Sequence, residues 1–202
     1  MLKNCLRFWC TWGLYLLLPI TSMADPVSDR LQANNRRTLL ETNRCRGCDL
    51  RSVELAGARL VGANLRNADL RGADFRSADL RGANIETADF SYADLRGADL
   101  RSAKVQGANF SNSYLVDAIL QMADLRSANF TNALFFGGVD SFSGTPRFTN
   151  LQKANLENAN FTNADLRQAN LSRANLSFAN LENIILQNTR QEGIKRVNNR
   201  DC

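Results

Sequence analysis

The sequence predicts an all-β solenoid, a chain that coils around its own core, and three observations predict it. Bulky apolar residues recur every five positions, at 18 consecutive centres from Leu50 to Phe135 and at 8 more from Leu151 to Leu186. Ala stands two residues before the centre in 21 of these 26 units, the exceptions being Cys48, Val53, Ser113, Thr149 and Ile184. Asp or Asn stands one residue before it in 19 of the 26. A repeat this strict sets the architecture of the chain.

A period of five suits neither regular element. On an α-helix successive centres land about 140° apart, so the apolar residues spread around the axis and leave no stripe. On a flat strand an odd period turns each centre to the opposite face from the last. Both conflicts vanish if the chain turns a corner once per unit, always in the same sense. Every centre then points inward, and so does the Ala two residues earlier. Asp and Asn hydrogen-bond nearby backbone and tolerate unusual dihedrals, which suits a corner in each unit. Gly and Ser two residues after the centre, as at Gly62, Gly72, Ser77 and Gly82, suit a tight corner as well.

The stretch A-D-L-R-G-A-D-F-R-S-A-D-L-R-G-A-N within residues 68–84 resembles the pentapeptide-repeat family, and the resemblance covers roughly residues 48–187. It implies a right-handed quadrilateral β-helix with four pentapeptides per coil. Twenty-six units then make about six and a half coils, a rod of ~31 Å at the spacing of stacked strands.

Residues 1–24 read as a secretory signal peptide. Lys3 and Arg7 supply the positive start, Phe8 to Ile20 the apolar run, and Ser22-Met23-Ala24 the small-x-small cleavage site. The run is short for a membrane span. Its removal lowers the net charge from +5 to about +3, too little to argue for a nucleic-acid partner. Residues 25–47 form an N-terminal cap. Leu31, Leu39 and Leu40 predict a helix over roughly 29–42 that covers the open end of the coil.

Cys45 and Cys48 form a C-x-x-C. Cys45 falls on an inward centre position and Cys48 on the inward position usually held by Ala. The segment N-R-C-R-G-C-D-L resembles the start of exported cyanobacterial members of the family. After export the pair is open to forming a structural disulfide. Buried thiols, redox chemistry or a metal are the alternatives. Zinc would need two more ligands, and the chain has no His.

The first block of repeats, 48–135, carries seven D-[L/F]-R units, and an eighth stands at Asp165/Arg167 in the second block, 151–187. Asp and Arg both point outward, and units twenty residues apart stack, so the surface reads as interleaved charge columns. The Arg beside each Asp argues against calcium. Around 111–122 the pattern loosens. Tyr114, Val116 and Ile119 take outward positions, with Leu134 over Tyr114 and Phe136 over Val116 by the twenty-residue rule. This is a local apolar patch on a polar rod, a kind of feature that marks contact sites.

Residues 136–150 break the register. Phe135 to Leu151 is 16 residues, three repeats plus one. Gly137, Gly138, Gly144 and Pro146 are loop signals, yet the segment also holds Phe136, Phe142 and Phe148. These rings either fold back over the patch or face a partner. Residues 188–202 leave the repeat as a basic tail, in which Ile194 and Val197 are placed to cover the second open end.

No catalytic constellation is present: no His, no G-x-G-x-x-G and no Walker-type loop. The expectation is a non-enzymatic, exported structural or protein-interaction module. It requires no cofactor and no metal, binds no nucleic acid, and makes no membrane contact after cleavage. Its partner is a protein, with homodimerisation left open. The resemblance implies a periplasmic or thylakoid-lumenal location. Two alternatives stand beside it. One is a DNA-mimicking binder of type II topoisomerase, as some family members are, although the outer columns here hold Arg as often as Asp. The other is an exported thiol or redox protein using Cys45 and Cys48.

Overall fold

In the computed structural model, residues 26–139 and 146–196 are described. The expected signal peptide, Phe142, Val197 and Cys202 lie outside the described residues.

The coil is four-sided. Parallel bridges join residues twenty apart, from Arg44↔Asn64 through Asp49↔Asp69 to Tyr114↔Leu134, so each fifth unit stacks on the first. The bridging residue is always the one before the centre. Its N–H donates to the coil below and its carbonyl accepts from that same coil, as Asp69 does with the Cys48 carbonyl (2.9 Å) and the Leu50 N–H (2.8 Å). Each corner closes with a bond from the N–H three residues after the centre to the centre's own carbonyl, such as Ala63 to Leu60 at 3.0 Å.

The left-handed residue of each corner is the second after the centre. Gly72 (φ 65°), Ser77 (φ 56°) and Asn132 (φ 58°) all sit there, while the residue after the centre keeps negative φ, the pattern of a type II turn. The Asp or Asn before the centre is not itself left-handed. Its Oδ1 accepts the N–H two residues on, as Asp74 does from Arg76 at 3.0 Å and Asn109 from Ser111 at 3.1 Å. The expected hydrogen bond and the Gly or Ser corner are both present, and one point is corrected: the unusual backbone belongs to the Gly, Ser or Asn three residues later and not to the Asp or Asn before the centre.

The centres and their Ala partners fill the core and are almost all inaccessible from Leu60 to Leu176. Each Leu or Phe contributes roughly 1.5–3 kcal/mol by burial before entropy is counted. One side of the core is a ladder of rings. Phe90 stacks on Phe110 at 5.1 Å, Phe110 on Phe130 at 5.1 Å, and Phe130 on Phe161 at 5.0 Å.

The break in register is an extrusion. Bridge partners are 20 residues apart up to Tyr114↔Leu134, 31 apart in the four bridges from Ile119↔Asn150 to Leu134↔Asp165, and 20 apart again from Asn150↔Asn170, so about eleven residues are inserted into one coil. The sequence reading of three repeats plus one is corrected to one repeat plus an insertion. The insertion starts as a hairpin of β1 (Phe136–Val139) and β2 (Pro146–Phe148), with Phe136 opposite Phe148. Thr149 is already back in the inward slot, fully buried, and Asn150 is back in the ladder. The Thr149 hydroxyl lies 2.5 Å from the Leu115 carbonyl and 2.8 Å from that of Phe135, so it ties the two chain ends together where the corner is missing.

Helix α1 (Pro26–Thr42) begins three residues earlier than expected, with Pro26 at the first helical position, where its missing N–H costs nothing. It ends at Asn43, which is left-handed (φ 55°) and donates its N–H to the Leu39 carbonyl. Of its three expected core residues only Leu39 is buried in the core; Leu31 and Leu40 are exposed. The helix is held mostly by polar bonds to the first coil. Asn35 Nδ2 donates to the Asp49 carbonyl (3.0 Å), Gln32 Nε2 to Asp49 Oδ1 (3.2 Å) and Arg36 Nε to the Glu54 carbonyl (3.0 Å).

At the other end the coil outlasts its sequence pattern. Bridges Asn170↔Arg190 and Asn175↔Lys195 carry it into the region expected to be tail. The centres there are Gln191 and Arg196, so the backbone ladder continues after the apolar core has thinned. Ile194 packs against that core, half-buried, beside Leu181 and Leu186.

Candidate interaction surface

The expected apolar patch spans two sides of the rod. Tyr114 and Leu134 stack directly on one side, bridged to each other, and are 47% and 40% exposed. Ile119 lies on the next side, in the ladder between Asp99 and Asn150, and is half-buried. Val116 occupies the corner between those sides and is only 6% exposed, so it is not contact surface, contrary to its outward reading. The hairpin leaves the coil at that same corner, one coil further on.

Phe136 and Phe148 are also half-buried. The Arg167 guanidinium lies over the Phe136 ring at 4.6 Å, and that of Arg190 near the Phe148 ring at 5.9 Å. Facing rings at the hairpin base are thus capped by cations from the two following coils. Arg167 is itself fixed by Asp165, which it meets through Nε (2.9 Å) and Nη2 (2.6 Å). The sequence offered no signal for this clamp, because Arg167 reads as one more D-L-R unit.

Sequence reasoning missed Tyr92. It is exposed and left-handed (φ 61°), in the corner leading into the Tyr114 side and one coil below it. The available signal was a bulky aromatic where most units have Gly, Ser or Asn. Met122, in the stretch where the sequence pattern loosens, is a second bulky residue held left-handed in a corner (φ 58°).

The charge columns flanking this region are internally matched. All eight D-x-R units form two-pronged bonds from Arg Nε and Nη2 to the preceding Asp, at 2.9 and 2.7 Å for Arg51 and 2.8 and 2.7 Å for Arg71. Several Arg also reach the next coil, as Arg51 does to Asp69 (3.8 Å) and Arg76 to Asp94 (3.8 Å). The Arg51 fork, opposed by partial burial and helped by the Arg51 N–H and the Gln32 amide, lowers the Asp49 carboxyl to about 2. Asp69, Asp74, Asp79 and Asp124 are held below the usual carboxylate range by the Arg two residues on. Beyond residue 104 the same columns turn largely neutral. Asn109 donates to Asp89, and Asn129 to Asn109, both at 3.0 Å.

The sequence matches the family described as pentapeptide repeats in eight copies, over residues 54–91, 93–132 and 149–188. That is more than half of the chain, and its gap from 133 to 148 brackets the hairpin. The chain is a pentapeptide repeat protein. The family fold is a right-handed quadrilateral β-helix, which accounts for the twenty-residue ladder, and its members are generally structural or interaction modules rather than enzymes.

Among solved structures this pentapeptide repeat protein is similar to several others. A Nostoc protein involved in heterocyst differentiation regulation is 29% identical, covering 75% of each chain with a TM-score of 0.36. One from the Arabidopsis thaliana thylakoid lumen is 32% identical over 59% of this chain and 68% of that one, with a TM-score of 0.29. A plasmid-mediated fluoroquinolone resistance protein is 19% identical over 73% of this chain and 79% of that one, with a TM-score of 0.48. The search of curated proteins found no match.

The Cys45 and Cys48 sulfurs are bonded, with their Cα atoms 5.3 Å apart. Cys45 is 3% exposed, whereas Cys48, which register placed inward, is half-buried. Among the described residues no cluster of His, Cys, Asp or Glu could hold a metal, and no helix is long and apolar enough to cross a membrane.

Proposed function

We propose that this pentapeptide repeat protein is an exported, non-enzymatic rod that docks a protein partner on the side bearing Tyr114 and Leu134, next to the hairpin base. The observation that carries the reading is the bridged pair itself. It places two large, exposed apolar side chains in one column whose neighbours are Asp94 below and Asp165 above. Tyr92 extends the surface one coil down. Such an exposed aromatic and apolar cluster inside a neutralised polar frame has the composition of an interface core.

Helix α1 caps the first coil in this reading, through Leu39 and the bonds to Asp49 and Glu54. The N-terminal sequence supports export, and the lumenal origin of one relative favours the thylakoid lumen or the periplasm. The matched Asp–Arg forks count against a DNA-mimicking role, which needs uncompensated acidic columns. The test is partner capture by the mature chain. Tyr114→Ser with Leu134→Ser, or deletion of residues 136–146, weakens capture while the far-UV spectrum of the coil is kept. Undiminished capture by both variants refutes the proposed face.

A further inference from the structure

We infer that the Cys45–Cys48 disulfide is a redox-operated fastener for α1: a dithiol opens it at Cys48, and opening frees the helix from the first coil while the later coils stay folded.

The disulfide stands at a weakly bonded corner of the coil. It closes the first corner, whose backbone bond, Cys48 N–H to the Cys45 carbonyl, is 3.4 Å against 3.0 Å at Ala63 to Leu60. The residue before this centre is Arg44, which has no side-chain acceptor to hold the corner as Asp and Asn do elsewhere. The covalent link reinforces the long backbone bond and takes the place of the missing side-chain one. The helix is anchored to this same segment. Asp49, next to Cys48, receives bonds from both Gln32 and Asn35, and Cys45 Sγ lies 3.5 Å from the Asn35 carbonyl.

Exposure assigns the direction of exchange. Cys45 is buried and Cys48 is half-exposed, between the exposed Gly47 and the repeat. A thiolate therefore attacks the Cys48 sulfur and forms a mixed disulfide there. The S–S bond breaks with its electron pair on Cys45, which takes up the proton lost by the attacking thiol. The reductant's second thiol then displaces Cys48, whose thiolate takes up the second proton. The products are two protein thiols and one oxidised dithiol. The new Cys45 S–H has the Asn35 carbonyl as its acceptor. With the covalent link gone, the corner that presents Asp49 to Gln32 and Asn35 is closed only by the 3.4 Å bond from Cys48 to Cys45, and the loosened corner weakens both contacts of the helix.

The experiment is hydrogen exchange read by mass spectrometry on the full chain, before and after dithiothreitol, with the mass of the 45–48 peptide reporting reduction. The expected result is exchange in Pro26–Thr42 faster by about tenfold or more, with Leu60 to Leu176 unchanged. Cys48→Ser reproduces this without reductant. Three results would overturn the inference: unchanged exchange in α1 with reduction complete, acceleration spread along the whole coil, or a disulfide that dithiothreitol opens only after the coil unfolds.

Discussion

Phe161 stacks on Phe130 with ring centroids 5.0 Å apart and planes 13° from parallel, although the hairpin lies between them in the chain. The contact matches the uninterrupted one between Phe110 and Phe130, at 5.1 Å and 10°. The core does not register the insertion. Phe135 and Thr149 meet at one corner, where β1 leaves the coil and β2 returns to it.

Removing the hairpin therefore leaves the coil intact. Deleting residues 136–146 joins Phe135 to Arg147-Phe148-Thr149 and restores the five-residue spacing, with Phe148 in the left-handed corner position that Phe178 already occupies (φ 59°). The deletion variant keeps its far-UV spectrum and a cooperative melt. Collapse of the melt would show that the hairpin is part of the core.

Thr149 should resist replacement by Ala, although Ala is the residue most units use at that position. The hydroxyl serves the buried carbonyls of Leu115 and Phe135. Thr149→Ala is expected to cost about 1–3 kcal/mol in chemical denaturation, the penalty for a buried acceptor losing its donor. In the deletion variant, where the normal corner bond is restored, the same substitution costs less.

The role assigned to the residue before the centre makes a ranking. Asp74→Asn keeps an Oδ1 acceptor for the Arg76 N–H, and thermal stability stays close to wild type. Asp74→Ala removes it and lowers stability by about 1 kcal/mol. Equal losses in both variants would shift the weight from the corner bond to the ion pair.

Acid should loosen the rod before it protonates a free carboxyl completely. Asp49 has a folded value of about 2 against 3.8, and Asp69, Asp74, Asp79 and Asp124 are lowered in the same direction. A group lowered on folding stabilises above its unfolded value and loses that stabilisation as pH falls through its folded value. The melting temperature is thus flat from pH 7 to about 5 and declines from about 4 toward 2. A melting temperature that rises on acidification through that window contradicts the pairing.

Bulky residues at left-handed corners trade stability for surface. Met122 (φ 58°) is exposed and held where Asn is better tolerated. Met122→Asn is expected to stabilise the protein by up to about 1 kcal/mol in equilibrium unfolding, a gain that a merely structural corner would have no reason to forgo.

That the chain coils was legible because a period of five suits neither helix nor flat strand, and the Ala positions marked the second inward slot from Ala58 to Ala179; the four units per coil came from the resemblance to pentapeptide repeats. Three things were not legible. The sequence around Phe136 shows that register is lost but not where it resumes, because Thr149 stands where Ala is usual. Leu31, Leu39 and Leu40 make a partial apolar face on paper, while α1 rests on Leu39 and on Gln32, Asn35 and Arg36. The Phe136–Arg167 and Phe148–Arg190 contacts depend on a coil built after the hairpin, and no local pattern announces them. The apolar patch was visible as a departure from consensus at Tyr114 and Leu134. Its burial at Val116 was not, because a corner residue reads as outward in register.

The docking face is tested most directly by site-specific photocrosslinking in intact source cells. A photoreactive phenylalanine analogue replaces Leu134 on the proposed face, and a second variant carries it at Asn183 on the hydrogen-bonded Asn ladder. The account predicts a discrete crosslinked protein from position 134, none from 183, and loss of the adduct when Tyr114 is changed to Ser. Equal labelling from both positions, or a product from 183 alone, contradicts it.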